Sequence, residues 1–178
     1  MNKQDELLKV AEQVIADLGF PIQQQNERSA LCLLALLNIT PQKNWSQAES
    51  PLIGITPIMD WAERHYGKYY AANSRESFRR QTMHQFLSAG LVLYNPDKPD
   101  RAVNSPKAAY QIEPEALALL RNVGTKLWPK SLGCYLANRN SLVERYAKER
   151  KQNRIPVRIA EGKEITLSPG IHSELIKD

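Results

Sequence analysis

The sequence NSRESFRRQTMHQFLSAGLVLYN, residues 73–95, carries the strongest structural pattern in the chain. At a helical period, one face collects the side chains suited to a core, and the cations fall elsewhere. The core-facing set comprises Phe78, Thr82, Phe86 and Ala89, widened by Met83, Leu87 and Gly90. The pattern predicts an amphipathic helix with one packed side and one positively charged side.

Both ends of this predicted helix are marked. Asn73 or Ser74 is the expected N-cap, because a short oxygen-bearing side chain accepts hydrogen bonds from free N–H groups of the first turn. Gly90 is the expected stop, since glycine readily adopts the left-handed conformation found there. Residues 91–94 predict a strand. A basic helix, a glycine stop and a strand are typical of a winged helix-turn-helix, whose basic helix lies in the major groove of DNA.

The flanking segments complete that motif. Thr56 and Pro57 predict the start of a helix that ends at Gly67, and a glycine-started turn then leads to the basic helix. Residues 109–112 predict a second strand that pairs with the first. Between the strands, residues 95–107 are rich in proline, Asp and Asn and predict a long hairpin tip.

Helices dominate the remaining segments. A nearly all-apolar helix from Asn26 is expected to be central and covered by others. The connection 40–55 is predicted to be irregular, with Trp45 and Leu52 packed back against the core. The other predicted helices cover residues 3–19, with Val10 on the apolar side, 114–123, and 131–152 with a break near 138–140. Residues 155–160 and 163–167 predict a second hairpin that turns at Glu161 and Gly162, and residues 172–177 predict a helix cut off in mid-element, as in a fragment of a longer protein.

The fold class that follows is mainly α: a winged helix-turn-helix with a short β-hairpin wing, then a helical segment and a small β-hairpin. Its 178 residues, 42% hydrophobic and 24% charged, are enough for a folded core. A net charge of +5 and a pI near 9.2 tilt only weakly toward anionic partners. Positive charge is concentrated in residues 121–158, where the only carboxylates are those of Glu144 and Glu149.

The expected cellular compartment can be inferred from the two cysteines and from the N-terminal residues. Cys32 and Cys134 have no metal-type spacing, and the opening MNKQDELLKV does not resemble a secretory signal. A cytoplasmic location is therefore expected. The longest apolar stretch, residues 30–39 apart from Asn38, is about half of the roughly 20 residues that cross a bilayer, so no membrane partner is expected.

Candidate DNA contacts are chosen by side-chain chemistry. Arg pairs bidentately with guanine and Gln with adenine in the major groove, which makes Arg75, Arg79, Arg80 and Gln81 the expected base-edge contacts. Ser74, Ser77 and His84 are expected to contact mostly phosphate. On the hairpin tip, Lys98, Arg101 and Lys107 are placed to touch phosphates, and a merely solvated loop is an equal alternative. For any single Arg, a charged face that only keeps the helix soluble is as good an interpretation.

The sequence contains only weak matches to known catalytic motifs. The sequence contains no phosphate-binding Gly-rich loop, nucleophile elbow or paired His at metal spacing. Asp100 with Glu161, Gly162 and Lys163 matches the letters of a Mg²⁺-dependent nuclease core, in which two carboxylates hold the ion. We reject the match, because Asp100 lies on a predicted loop tip and Gly162 puts Glu161 in a turn that does not fix its carboxylate. No catalytic residue, metal ligand or cofactor is expected in this chain.

Long strings resemble one known family. ITPIMDW (55–61), FRRQT (78–82) and NPDKPDR (95–101) are similar to the N-terminal part of BsuBI/PstI-type restriction endonucleases, and the similarity covers nearly the whole chain. The resemblance implies a two-part enzyme with an N-terminal helix-turn-helix domain and a C-terminal Mg²⁺-dependent nuclease domain of the PD-(D/E)XK kind. It also implies cleavage of the palindrome CTGCAG in DNA that the partner methyltransferase has not protected.

On this resemblance, residues 1–123 are expected to form the DNA-binding domain. Residues 124–178 are then a basic helical connector leading toward a nuclease domain that this chain lacks. The implied partners are double-stranded DNA, that nuclease domain and a second copy of the chain, since a palindrome offers two half-sites. Mg²⁺ is implied for the parent, a type II site-specific deoxyribonuclease, and this chain alone is not expected to cut DNA.

Two other functions fit the same residues. One is a standalone winged-helix transcriptional regulator, such as the controller proteins of restriction systems, although the cut-off C-terminal helix argues against it. The other is a dimerisation domain whose basic face is incidental. Steep salt dependence of DNA affinity would distinguish a DNA-contacting basic helix from the dimerisation domain, because only DNA contact neutralises phosphates.

Overall fold

The computed structural model describes the backbone of residues 1–152, 155–158 and 164–167, with the side chains of residues 1–139 and Glu144. The described chain is mostly helical with two small antiparallel hairpins, which confirms the predicted fold class. Its helices are α1 (Lys3–Asp17), α2 (Glu27–Leu36), α3 (Ile55–Tyr66), α4 (Arg75–Ser77), α5 (His84–Ser88), α6 (Pro114–Leu120) and α7 (Trp128–Gln152), and its strands are β1 (Val92–Tyr94), β2 (Tyr110–Ile112), β3 (Ile155–Arg158) and β4 (Glu164–Leu167). A π-helical segment, Phe78–Met83, joins α4 to α5, and 3₁₀ turns occupy Ile22–Gln24, Trp45–Gln47 and Ala72–Ser74.

Helix α2 is the centre of the core, as its composition predicts. Asn26 caps it by accepting a hydrogen bond from the backbone N–H of Ser29 at 2.9 Å. Residues 29–36 are all fully buried, and α1, α3, the π-helical segment and β2 pack around them. Each buried leucine contributes about 1.5–3 kcal/mol of transfer free energy, so α2 anchors the domain through its side chains.

Helix α1 covers one side of α2. It ends at Asp17, two residues before the predicted end, and Gly19 follows with a φ of +88°. Its buried side is close to the predicted one: Leu7, Ala11, Val14, Ile15 and Leu18. Val10 was predicted on that side wrongly, since 39% of it is exposed.

Helix α3 begins earlier than predicted. Its first residue is Ile55 and its N-cap is Gly54, so Thr56 is not the cap and Pro57 is the third helical residue, where the missing N–H still costs nothing. Gly54 faces the carbonyl oxygen of Ala108, which a Cβ at Gly54 would approach to 3.0 Å. This close approach favours glycine at the cap over a residue with a side chain. Gly67 ends α3 with a φ of +65°, as predicted.

The connection before α3 contains one correct and one wrong burial prediction. Trp45 is buried, but Leu52 is 42% exposed. The next residue, Ile53, forms an isolated antiparallel bridge with Tyr110, through backbone hydrogen bonds of 2.8 and 2.9 Å. Because successive side chains of extended backbone point to opposite sides, Ile53 packs against the core and Leu52 points away.

The predicted wing is present with strands slightly shorter than expected. β1 and β2 are antiparallel, with Val92 opposite Ile112 and Tyr94 opposite Tyr110. Val92 and Ile112 face the core and fix this register. Residues 95–109 form the hairpin tip.

The C-terminal part of the described chain returns to α1. Helix α6 starts at Pro114 as predicted, and the Glu113 carboxylate caps it by accepting from the Ala116 N–H. Helix α7 is continuous, so the predicted break near 138–140 is wrong. Arg139 donates to the carbonyl oxygen of Leu18, which holds α7 against the end of α1. The domain boundary near residue 123 stays a prediction.

The second hairpin is β3 paired with β4, Ile155 opposite Leu167. The turn predicted at Glu161 and Gly162, and the helix predicted over residues 172–177, lie outside the described residues. In the described part of the chain, none of the helices has the length and apolar character needed to span a bilayer.

Candidate nucleic-acid interface

Segments α4, Phe78–Met83 and α5 run end to end and form one helix, called here the basic helix (residues 75–88). The predicted N-cap is wrong: the Ser74 side chain makes no cap hydrogen bond, and Asn73 lies inside the 3₁₀ turn that runs directly into the helix. Ser74 has a helical backbone, with φ −73° and ψ −12°, whereas a capping side chain needs an extended one. At the other end Gly90, with a φ of +74°, follows the helix as predicted.

The buried side of the basic helix is fully enclosed. Phe78, Thr82, Met83 and Phe86 each have 0% exposure. The Phe78 ring meets the Tyr70 ring edge-on at 4.9 Å, and the Phe86 ring meets that of Phe20 at 5.4 Å. The Thr82 hydroxyl accepts a hydrogen bond from Nε of Arg28 in α2 at 3.1 Å. These contacts fix the helix rotationally, and with it the direction of the opposite side.

The π-helical segment explains how so much of this helix is buried. In an α-helix of 3.6 residues per turn, Met83 would point about 140° away from Phe78. The wider π-helical turn reduces this angle, and Phe78 and Met83 are both fully buried. Periodicity alone did not predict this segment, because it assumes a regular turn.

Outer residues of the basic helix carry the predicted DNA contacts. Arg79, Arg80, Gln81 and His84 are exposed, whereas Ser74, Arg75 and Ser77 are partly exposed. The predicted helix residues are therefore all at least partly accessible outside the buried side of the basic helix, and this outer surface is called here the ridge. Which of them touch DNA stays a prediction.

One carboxylate on this ridge was missed by the sequence analysis. Glu76 accepts hydrogen bonds from Arg79 through both oxygens, Nε to Oε1 at 3.1 Å and Nη2 to Oε2 at 2.9 Å. Its Oε2 also lies 3.2 Å from Nε of Arg80. The hydrogen bond from Arg79 is the main reason that the pKa of Glu76 is lowered. The i,i+3 and i,i+4 spacing of these residues was the available sequence signal.

The basic helix lies against the start of the wing. The Tyr94 and Tyr110 rings pair at 5.2 Å. The pKa of Arg79 is raised mainly by its hydrogen bond to Glu76, with a smaller electrostatic contribution from these two tyrosines. Burial raises the pKa of Tyr110 to about 12, with Arg79 and Arg75 acting in the opposite direction. Tyr110 of the wing therefore lies near the charged residues of the basic helix.

The three cations predicted to contact phosphate from the hairpin tip differ in their exposure. Lys98 and Lys107 are exposed, but only 12% of the Arg101 side chain is exposed. Arg101 donates to both carboxylate oxygens of Asp97, at 3.1 and 2.7 Å, and to Oδ1 of Asn95 at 2.8 Å. Asn95 is buried, and the same Oδ1 accepts from the Ala109 N–H at 2.9 Å. Arg101 thus holds the tip closed, and its contact with phosphate stays a prediction.

The described side chains form no large cluster of metal ligands. Among the described side chains, no three His, Cys, Asp or Glu residues come close enough together to hold a metal. Asp100 is exposed on the hairpin tip, and its pattern partners Glu161 and Lys163 lie outside the described residues. The expectation that this chain binds no metal stays a prediction.

The chain resembles proteins of known class along nearly its full length. The BsuBI/PstI restriction endonuclease HTH domain family matches residues 5–144. The type II restriction enzyme BsuBI of Bacillus subtilis is 65% identical over 170 residues, 96% of this chain and 54% of that protein. The type II restriction enzyme AplI of Arthrospira platensis is 36% identical over 173 residues, 97% of this chain and 53% of that protein.

A solved structure agrees with these relatives. The SdaI restriction endonuclease matches with a TM-score of 0.73 and 32% identity, over 99% of this chain and 55% of that one. The chain therefore spans about half the length of the curated relatives it matches. Because the family model matches most of this chain, the chain belongs to the BsuBI/PstI restriction endonuclease HTH domain family.

Proposed function

We propose that this chain is the DNA-binding domain of a type II restriction endonuclease and that it binds duplex DNA containing CTGCAG through the basic helix. Family membership supports the enzyme class. The observation that carries the DNA contact is the exposed ridge of Arg79, Arg80, Gln81 and His84 above a fully buried apolar side. A rigid helix with cations and an amide on its accessible side suits the major groove of B-form DNA.

The wing contributes contacts to the DNA backbone in this proposal. Lys98 and Lys107 lie exposed on the hairpin tip. Lysine ammonium groups suit phosphate oxygens, which position a protein on the duplex without specifying sequence. Ser74 and Ser77, at the start of the basic helix, supply further phosphate contacts.

Cleavage belongs to a further domain of the parent protein in this proposal. The relatives are about twice as long as this chain, which leaves room for such a domain. The nuclease chemistry and its Mg²⁺ are placed in that domain. A palindromic target would be bound by two copies of the protein, one at each half-site.

Fluorescence anisotropy on a labelled CTGCAG duplex and a scrambled duplex, over a series of salt concentrations, tests the proposal. We expect tighter binding to CTGCAG and an affinity that falls steeply with salt, because phosphate contacts release counterions. Replacing Arg79 and Arg80 with Ala should weaken specific binding about 10- to 100-fold. Incubation of the chain with Mg²⁺ and the same duplex should leave the DNA uncut.

A charge-matched control separates a specific contact from a loss of net charge. Lys3→Ala with Lys9→Ala removes two exposed cations from α1, which carries no predicted DNA contact, and should change affinity about twofold or less. Equal affinity of the wild type and the arginine double variant for CTGCAG would remove the basic helix from the interface. Binding that is insensitive to salt would contradict the DNA-binding function as a whole.

A further inference from the structure

The Glu76 carboxylate stands among the cations of the proposed DNA-binding surface, where it opposes attraction to phosphate. Its side chain is 55% exposed, and the side chains of its partners Arg79 and Arg80 are 48% and 75% exposed. An acidic group in the first turn also stabilises a helix through the macrodipole. That role needs only charge and position, whereas Glu76 makes a two-point hydrogen-bonded pair with one particular arginine.

The geometry of this pair leaves half of the Arg79 guanidinium available. Glu76 occupies the side-on fork, made by Nε and by Nη2. A guanidinium has five N–H donors in a fixed plane. The end-on fork, made by Nη1 and the second hydrogen of Nη2, therefore points away from the carboxylate. Guanine presents O6 and N7 in the major groove as two adjacent acceptors, which match such a fork.

We propose that Glu76 is a positioning residue that orients Arg79 so that its end-on fork meets the O6 and N7 atoms of one guanine. This inference rests on the proposed DNA-binding function and adds the base and the atoms that are recognised. Docking on DNA removes water from the pair, which strengthens a bond that is weak on an open surface. The same carboxylate repels phosphates and so disfavours binding to unrelated sequences.

The test replaces the two guanine positions of CTGCAG, one position at a time and on both strands, with 7-deazaguanine, which lacks the N7 acceptor. For the wild-type chain, one of these substitutions should weaken binding about 10-fold. For Glu76→Gln, the loss at that guanine should shrink to about threefold or less, because a neutral amide no longer holds both donors of Arg79. Binding of Glu76→Gln to a scrambled duplex should become about two- to threefold tighter.

Glu12→Gln is the matched control, since it removes one carboxylate from α1. It should retain the full 10-fold sensitivity to 7-deazaguanine. A macrodipole role for Glu76 would alter the thermal midpoint of unfolding and leave the ratio between normal and deaza duplexes unchanged. The same 10-fold loss in the wild type and Glu76→Gln would overturn the inference, as would a wild type that binds CTGCAG with no sensitivity to either guanine. If the wild type binds no duplex at all, it is the proposed function that fails.

Discussion

The basic helix and the hairpin tip each present arginines paired with an acid four residues earlier, yet the two pairs differ in exposure. In the helix, Arg80 lies beside Glu76 with 75% of its side chain exposed. In the tip, Arg101 lies beside Asp97 with 12% exposed. The difference shows that charge spacing alone does not separate an arginine that is free to meet a ligand from one that braces the fold.

What lies beneath each pair causes the difference. Under Arg101 is the buried side chain of Asn95, in a left-handed conformation with a φ of +48°, and its Oδ1 accepts from both Arg101 and the backbone of Ala109. The arginine therefore completes a buried polar cluster. Under the helix ridge are Phe78 and Phe86, which offer no polar partner and leave the arginines to solvent and to Glu76.

The largest effect should come from removing the apolar support of the ridge. Phe78→Ala should lower the free energy of unfolding by about 3–5 kcal/mol, because it empties a fully buried site beside Tyr70. Urea denaturation followed by circular dichroism measures the change. Ser88→Ala, at an exposed position of the same helix, should stay within about 0.5 kcal/mol of the wild type. A loss below about 1 kcal/mol for Phe78→Ala would mean that the ridge does not depend on this side chain.

Much of the difference between the basic helix and the hairpin tip could be predicted from the sequence. The part that could not be predicted has a physical cause. The helix, its buried phenylalanines and its glycine stop follow from periodicity and glycine conformation, which are local properties. The pairing of Glu76 with Arg79 was also visible as i,i+3 spacing, although it was not used.

The wrong predictions depend on contacts between distant segments. Gly54 replaces Thr56 as a cap because Ala108 lies against it, and Leu52 is exposed because its neighbour Ile53 bridges to Tyr110. None of these contacts leaves a local pattern that could be recognised before the fold is known.

A smaller effect on stability should appear at alkaline pH and depend on Tyr110 of β2. The pKa of Tyr110 is raised from 10.0 to about 12 by burial, so its contribution to stability is complete below pH 10 and is lost as pH rises through about 12. Tyr110→Phe should therefore show a shallower fall in unfolding free energy over this range. The difference should reach on the order of 1 kcal/mol after allowing for solvent screening.

Urea titrations at pH 9, 10, 11 and 12 measure that slope. Tyr69→Phe is the control, because Tyr69 is 71% exposed and should keep the wild-type slope. If the unfolding free energy of Tyr110→Phe and of the wild type fell equally with pH, ionisation of Tyr110 would not destabilise the fold.

The exposed lysines of the tip should matter for DNA affinity and little for stability. Lys98→Ala with Lys107→Ala should lower the slope of log affinity against log salt by up to about two, one for each phosphate contact removed. At 0.1 M salt, affinity for CTGCAG and scrambled duplexes should fall together by about three- to tenfold, since phosphate contacts carry no sequence information. An unchanged slope would favour the alternative that the tip is only a solvated loop.

The smallest effect on DNA affinity is expected where the arginine is least available. Arg101→Ala should change affinity about twofold or less, because the guanidinium already donates to Asp97 and Asn95. The same variant should accelerate amide hydrogen exchange at Ala109, whose N–H donates to Asn95 Oδ1, since that oxygen loses its second partner. Lys98→Ala should leave this exchange rate unchanged. A tenfold loss of affinity in Arg101→Ala with normal exchange at Ala109 would reverse the assignment, because the arginine would then serve the ligand and the loop would close without it.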